Sequence, residues 1–368
     1  MSMTEQIDEL LYECTNQPKG SLKISLAKQA IALADQINDL DRGYAAREEL
    51  ISCSAFRGRP DLSIPAFAWC LAQADANPNR FDLRHLLWMY KWIVAACSEC
   101  PGISLAQFDE LLEDLGRRFQ AAGYSSRVYY QRKAAGYAVM GHLSEAALAY
   151  QEWPLQARDT VSDCHACDIN ESVIVLTHLG RLEDAFEYAE PILSGGKRCA
   201  EVPHLTYAVL LLPALRLNKL AEAQEFHRLG YQRIAQNPNF VKEHGIHIIY
   251  LSVIGNLERA VTLLERHLPM ALKSSIPLNQ LHFYAACHLL TQQLICAGRR
   301  SIKARLPQDF ALWQVDGCYD LDGLQAWFNQ HAIALAEQFD QRNRNTYYSE
   351  YVAETLALAE ELSMVTMQ

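Results

Sequence analysis

"GHLSEA" at 141–146, "GRLEDA" at 180–185, "NKLAEA" at 218–223 and "GNLERA" at 255–260 write one pattern four times. A turn residue (Gly141, Gly180, Asn218, Gly255) is followed two positions on by Leu143, Leu182, Leu220 or Leu257. Three positions later comes Ala146, Ala185, Ala223 or Ala260. The steps between turn residues are 39, 38 and 37 residues, from 141 to 180, 180 to 218 and 218 to 255. Gly and Asn tolerate the left-handed backbone that ends a helix. The Leu opens the next helix and faces back, and the Ala is small because two helix backbones cross closely there. Each copy is the bend of a helix hairpin, which buries its apolar face only by stacking on its neighbours.

Working outward, the hairpins run at 125–151, 165–194, 203–236 and 241–269. Before them, "SLKISLAKQAIALADQ", "YAAREELISCSAF", "LSIPAFAWCLAQA", "LRHLLWMYKWIVAAC" and "LAQFDELLEDLGRRFQAAG" read as less regular helices. After them come "LNQLHFYAACHLLTQQLICAG", a connector at about 298–319, and two final helices in "LDGLQAWFNQHAIALAEQFDQRN" and "YYSEYVAETLALAEEL". No period-2 strand stands out, so the fold class is all-α. The expected divisions are 1–123 (irregular helical hairpins), 124–297 (regular repeats) and 298–368 (connector and capping helices).

A chain of 368 residues is long for one core and suits two or three domains or one extended repeat array. Half of it is hydrophobic and 21% is charged, which fits a folded, soluble protein. The start "MSMTEQIDEL" has no basic, apolar or cleavage pattern of a signal peptide, and no apolar run of about 18 residues marks a membrane span. A net charge of −10 disfavours nucleic acid as a partner. Eleven cysteines, an odd number scattered through helical text, suggest reduced thiols and a cytoplasmic location. Cys70, Cys287 and Cys296 read as small core residues.

The turn-Leu-Ala signature resembles the tetratricopeptide repeat family over about 125–270. The period is longer than that family's usual 34 residues, and most of its Trp and Pro positions are missing. The excess falls in connections such as "EWPLQARDTVSDC" and "SGGKRCAEVPH". "SDCHAC", "CAEVPHLTYA", "GNLERAVTLLERHLP" and "YDLDGLQAWF" are similar to stretches of a group of bacterial tetratricopeptide-like proteins. The resemblance implies a right-handed superhelical α-solenoid with a binding role in its concave groove. By the family's geometry the groove would present Gln131, Ala135, Asn170, Ile174, His178, Leu212, Arg216, Lys242, Ile249 and Ser252. Such a mixture suits an apolar helix or a folded protein surface. The competing reading is that the superhelix partly closes and buries these residues as core.

Signatures of catalysis (G-x-G-x-x-G, the phosphate loop, H-E-x-x-H, G-x-S-x-G) are absent. "SGGKR" at 194–198 lacks the upstream loop of a phosphate cradle, and the carboxylates of "FDELLEDLG" read as a solvated helix face. His244 and His247 in "EHGIH" form half of a metal pattern without a second half, so a core or surface pair is expected. Arg299, Arg300, Lys303 and Arg305 in "GRRSIKAR" lack interleaved aromatics and read as a solvated linker. Cys97 and Cys100 in "CSEC" have the spacing of a redox pair but no strand before them, and are expected to be ordinary thiols at a helix end.

One constellation carries metal chemistry. "DCHACD" at 163–168 supplies Cys164 and Cys167, and "CAEVPH" at 199–204 supplies Cys199 and His204. Both are connections between consecutive hairpins and fall on one edge of a solenoid. The four donors match a closed tetrahedral Cys₃His zinc site of structural type, with His165 as a competing ligand. The bland alternative is three small buried thiols and a capping histidine. Three function classes remain for the chain. A non-enzymatic protein–protein scaffold with another protein as partner is favoured. An immunity-type neutraliser of a bacterial toxin is the alternative, and an enzyme with an unrecognised cysteine-based site is the third.

Overall fold

The four turn residues occupy the left-handed region, with φ of 76° at Gly141, 71° at Gly180, 56° at Asn218 and 76° at Gly255. Past each, a backbone N–H reaches back to close the helix it leaves: His142 to Tyr137, Arg181 to Leu176, Lys219 to Ala214 and Asn256 to Leu251, at 2.8–3.0 Å. Ala146, Ala185, Ala223 and Ala260 are all fully buried. The leucines carry less of the packing than their place in the pattern suggests, and Leu220 is 50% exposed. A fifth copy stands at 38–43 in "NDLDRG". Asn38 has φ 55°, and the N–H of Asp39 returns to Ala34.

The computed structural model describes residues 2–55 and 58–365. Among them the chain is an all-α helical repeat array with one small β-hairpin. Its first six helices are α1 (Met3–Asn16), α2 (Ser21–Gln36), α3 (Leu40–Ala55), α4 (Pro60–Ala76), α5 (Leu83–Ser98) and α6 (Leu105–Ala121). The regular hairpins follow as α7 (Arg127–Val139) with α8 (Leu143–Glu152), α9 (His165–His178) with α10 (Leu182–Leu193), α11 (His204–Arg216) with α12 (Leu220–Ile234), and α13 (Val241–Val253) with α14 (Leu257–Leu272). Then come α15 (Pro277–Cys296), β1 (Ser301–Lys303), β2 (Cys318–Asp320), α16 (Leu321–Asn343) and α17 (Tyr347–Val365). No helix among the described residues is long and apolar enough to cross a membrane.

Local chemistry explains the ends. Ser2 and Glu5 form a capping box that starts α1, and Ser104 and Gln107 do the same for α6. Pro60 and Pro277 open α4 and α15, where a missing N–H costs nothing. α15 is buried on nearly every side and is the spine of the second half, against which α13, α16 and α17 pack. The connector at 298–319 contains the antiparallel pair Ser301↔Asp320, Ile302↔Tyr319 and Lys303↔Cys318, with Ile302 and Tyr319 turned inward.

Two large apolar clusters hold the array. One joins α1–α7 from Cys14 to Met140 and takes in Val161, and the other runs from Val173 on α9 to Leu358 on α17. The second includes the final helices, so these do more than cover an end. Arg342, near the end of α16, donates to the carbonyls of Cys97, Ser98, Cys100 and Ile103 at the close of α5. Asn345 donates to Met140 O, and the Tyr348 hydroxyl to Val139 O, at the close of α7. The C-terminal hairpin therefore reaches across the array and satisfies carbonyls of helices more than 200 positions earlier in the chain.

Candidate functional site

The segment "DCHACD" bends into α9. Its two acids face inward and anchor it. Asp163 accepts from Lys91 at 2.7 Å and Gln131 at 3.0 Å, with Arg132 at 3.7 Å. Asp168 accepts from both Arg127 and Arg158 at 2.6 Å. Burial would raise the Asp163 carboxyl, but the charges of Arg132 and Lys91 outweigh it and hold the group below its ordinary range. Burial pulls the Lys91 ammonium down, against the opposing pull of Asp163. The signal for this anchor in the sequence is the pair of carboxylates bracketing the cysteines, together with apolar text around Lys91.

With the acids turned in, the cysteines are left on the outer edge. Cys164 is the N-cap of α9, and its sulfur accepts from the Cys167 N–H at 3.4 Å. Cys199 comes from the connection after α10. That connection is pinned by Val202, which packs on Ala166 and Ile192, and by the Cys199 N–H to Val202 O bond of 3.1 Å. The sulfurs of Cys164, Cys167 and Cys199 all lie within 4.8 Å of one another. Cys164 and Cys199 are exposed and Cys167 is half-buried. Burial works to raise the Cys164 thiol, and hydrogen bonds from the Cys167 N–H and from Cys167 and Cys199 overcome it and hold the thiol low. Burial and the two neighbouring sulfurs push Cys167 up.

This group could hold a metal ion. Sulfurs bound to one tetrahedral ion at about 2.3 Å stand about 3.8 Å apart, which is compatible with a group whose sulfurs all lie within 4.8 Å of one another. His204 does not join them. It is the first residue of α11 and 8% exposed, with its ring edge-on to Phe240 at a centroid distance of 5.3 Å. That contact commits the imidazole to the packing between α11 and the segment leading into α13. His165 is exposed and also stands outside the group.

The residues expected along the groove divide. Gln131, Asn170, Ile249 and Ser252 are buried and serve the interior. Gln131 holds Asp163, Asn170 accepts from Thr206 at 2.7 Å, and Ser252 donates to Ile248 O. These four are core residues and not groove contacts, because the neighbouring helices pack over them. Ala135, Ile174, His178, Leu212 and Lys242 are half-buried, and Arg216 is exposed with Glu361 of α17 at 4.0 Å. His178 is also spoken for by α17, through a 2.8 Å hydrogen bond with the Tyr347 hydroxyl.

The inner face carries a charge cluster that the sequence did not reveal. Glu99, at the end of α5, is pushed up to about 7 by burial, with Lys242 opposing and Glu243 and Glu171 adding to the rise. Glu243 is likewise raised by burial and lowered by Lys242. Groups on α5, α9 and α13 sense one another although α7 and α11 intervene in the chain. They therefore lie near one another, and all four are half-buried.

His244 and His247 are fully buried, as a core pair. Cys97 is buried and Cys100 half-buried, and burial pushes their thiols up to about 12 and about 11, as befits unreactive thiols at a helix end. Cys70 and Cys287 are core residues, but Cys296 is exposed, because it lies in the last turn of α15 where the helix leaves the core. Arg299 pairs with Glu258. The carboxylates of α6 are not a free solvated face: Asp109, Glu113 and Asp114 accept from the hydroxyls of Tyr137, Tyr129 and Tyr90. In comparison with known proteins, no family model matches the chain and no curated protein matches its sequence.

Proposed function

We propose that the chain is a non-enzymatic scaffold of tetratricopeptide type that captures another protein on the inner face of its central units in the cytoplasm. The observation that supports this is that Glu99, Glu171, Lys242 and Glu243, half-buried groups from α5, α9 and α13, lie close enough to shift one another's ionisation. A carboxyl near 7 is only partly charged at neutral pH, and a cationic side chain from a partner would complete its ionisation. The inner face thus favours a basic segment over the apolar helix expected from sequence. The test is affinity capture from native cytosol, comparing the natural protein with a Glu99→Gln, Glu243→Gln variant. A partner lost in the variant, with the helical circular-dichroism signal unchanged, supports the reading. An identical set of captured proteins rejects it.

A structural zinc ion on Cys164, Cys167 and Cys199 is a second reading, supported by the meeting of three sulfurs from two consecutive units. It would staple the connection before α9 to the one before α11. Protein purified without chelator is expected to carry one zinc per chain, lost in a Cys164→Ser, Cys167→Ser variant with a lower Tm. Absence of metal from the natural protein ends this reading.

A further inference from the structure

Resting on the metal reading above, we infer that the ion is held by three protein sulfurs only, and that its fourth position faces solvent and takes an exogenous thiolate. A closed structural zinc site needs a fourth protein donor. Among the described residues no further His, Cys, Asp or Glu joins Cys164, Cys167 and Cys199. The residues outside that description (Met1, Phe56, Arg57, Thr366, Met367 and Gln368) include none of these types. His204, the sequence's own candidate, is held away against Phe240.

The surroundings decide which way the open position points. On the buried side Ala166, next to Cys167 in sequence, packs with Ile192 and Val202 in an apolar cluster that offers no donor. Cys164 and Cys199 are exposed to solvent. Asp163 and Asp168, the nearest carboxylates in sequence, are already engaged by Lys91, Gln131, Arg127 and Arg158 and point inward.

Charge and softness select the ligand. A divalent ion with three thiolates carries one net negative charge, which disfavours a fourth anion unless cations stand nearby. Lys197 and Arg198 immediately precede Cys199 and are exposed. Three sulfur donors also favour a soft fourth donor on a borderline ion such as zinc. When the thiol binds, its proton goes to solvent and its sulfur takes the vacant position. The same chemistry fits a free small thiol or a cysteine presented by another protein.

The test uses the full chain in a Cys296→Ser, Cys318→Ser background, which removes the other exposed thiols. The zinc is replaced by cobalt(II), whose visible ligand-field bands report the donor set. Titration with free cysteine is expected to shift and strengthen these bands to saturation at one equivalent bound. A His204→Ala change should leave the spectrum unaltered before and after. A short peptide with one central cysteine separates the two sources. Binding at least tenfold weaker than free cysteine points to a small thiol, and equal or tighter binding points to a protein cysteine. Cobalt that binds but ignores both thiols, or a spectrum altered by His204→Ala, overturns the open site and leaves the metal reading standing. No cobalt binding overturns both.

Discussion

The junction of α5, α7 and α9 and the packed core of α12, α13 and α14 bury polar groups in opposite ways. At the junction the groups stay charged and are matched. Lys91, 2% exposed, meets Asp163 and Val161 O at 2.7 and 2.8 Å, while Arg127 meets Asp168 and the carbonyls of Trp153 and Gln156. In the other core four imidazoles lie together. His227 and His247 share a hydrogen bond of 3.0 Å, His244 stacks on His267 with centroids 3.6 Å apart, and the Tyr231 hydroxyl sits 3.0 Å from His267 Nε2. No carboxylate pairs with these rings among the described ion pairs, and burial pulls His227 and His244 down to about 4. Matched charges fix the position of an irregular connection, because their geometry tolerates little drift. Neutral rings fill a helix interface and add hydrogen bonds where a charge would be too costly.

The largest expected effect separates the two by acid. A buried histidine with a depressed pKa stays neutral in the fold while the unfolded chain takes up a proton below its ordinary 6.5. Stability therefore falls as pH drops through that value and keeps falling until the folded pKa is reached. Between pH 7.5 and 4.5, His227 and His244 alone should remove about 5 kcal/mol, at about 1.4 kcal/mol per pH unit each. Asp163 responds in the same direction but in a lower pH window. Its contribution persists until pH falls below the ordinary carboxylate value and through its lower folded one. Hydrogen exchange at pH 5 should find α12–α14 opening while the start of α9 stays protected. A flat denaturation profile over this range would break the comparison.

The next effect removes a charge. Asp163→Ala leaves Lys91 buried without its partner and should cost about 3–5 kcal/mol in urea unfolding at pH 7.5. The smallest belongs to a Lys91→Met, Asp163→Ala double variant, which should recover most of that loss, since no charge is stranded. Equal losses in the single and double variants would mean that the junction depends on packing around these side chains and not on matched charge.

Helix-level order was legible because it follows from local patterning. The stretches at 21–36 and 321–343 coincide with α2 and α16. The signal for α1 is the capping box of Ser2 and Glu5, and the copy at 38–43 departs from the pattern at Gly43, which stands where the other four have Ala. β1 and β2 are three residues each, too short for a period to show. At the site, spacing was enough to bring three cysteines together. It was not enough for His204, whose orientation depends on Phe240 from a later unit. The groove residues failed for the same reason: Asn170 and Ser252 have the register of inner-face positions, but the hairpins beside them decide whether that face meets water.

The reach of Arg342, Asn345 and Tyr348 to the ends of α5 and α7 changes what kind of object the array is. An open solenoid is a line, to which units can be added or from which they can be lost. Here the line has been made into a loop by its last hairpin, and the number of units is set by the span that hairpin must bridge. Deleting one central hairpin would leave Arg342 and Tyr348 displaced from their carbonyls by a whole unit. A change in the number of units would therefore break the closure, whereas a change in the length of an outer connection such as 194–203 would leave it intact.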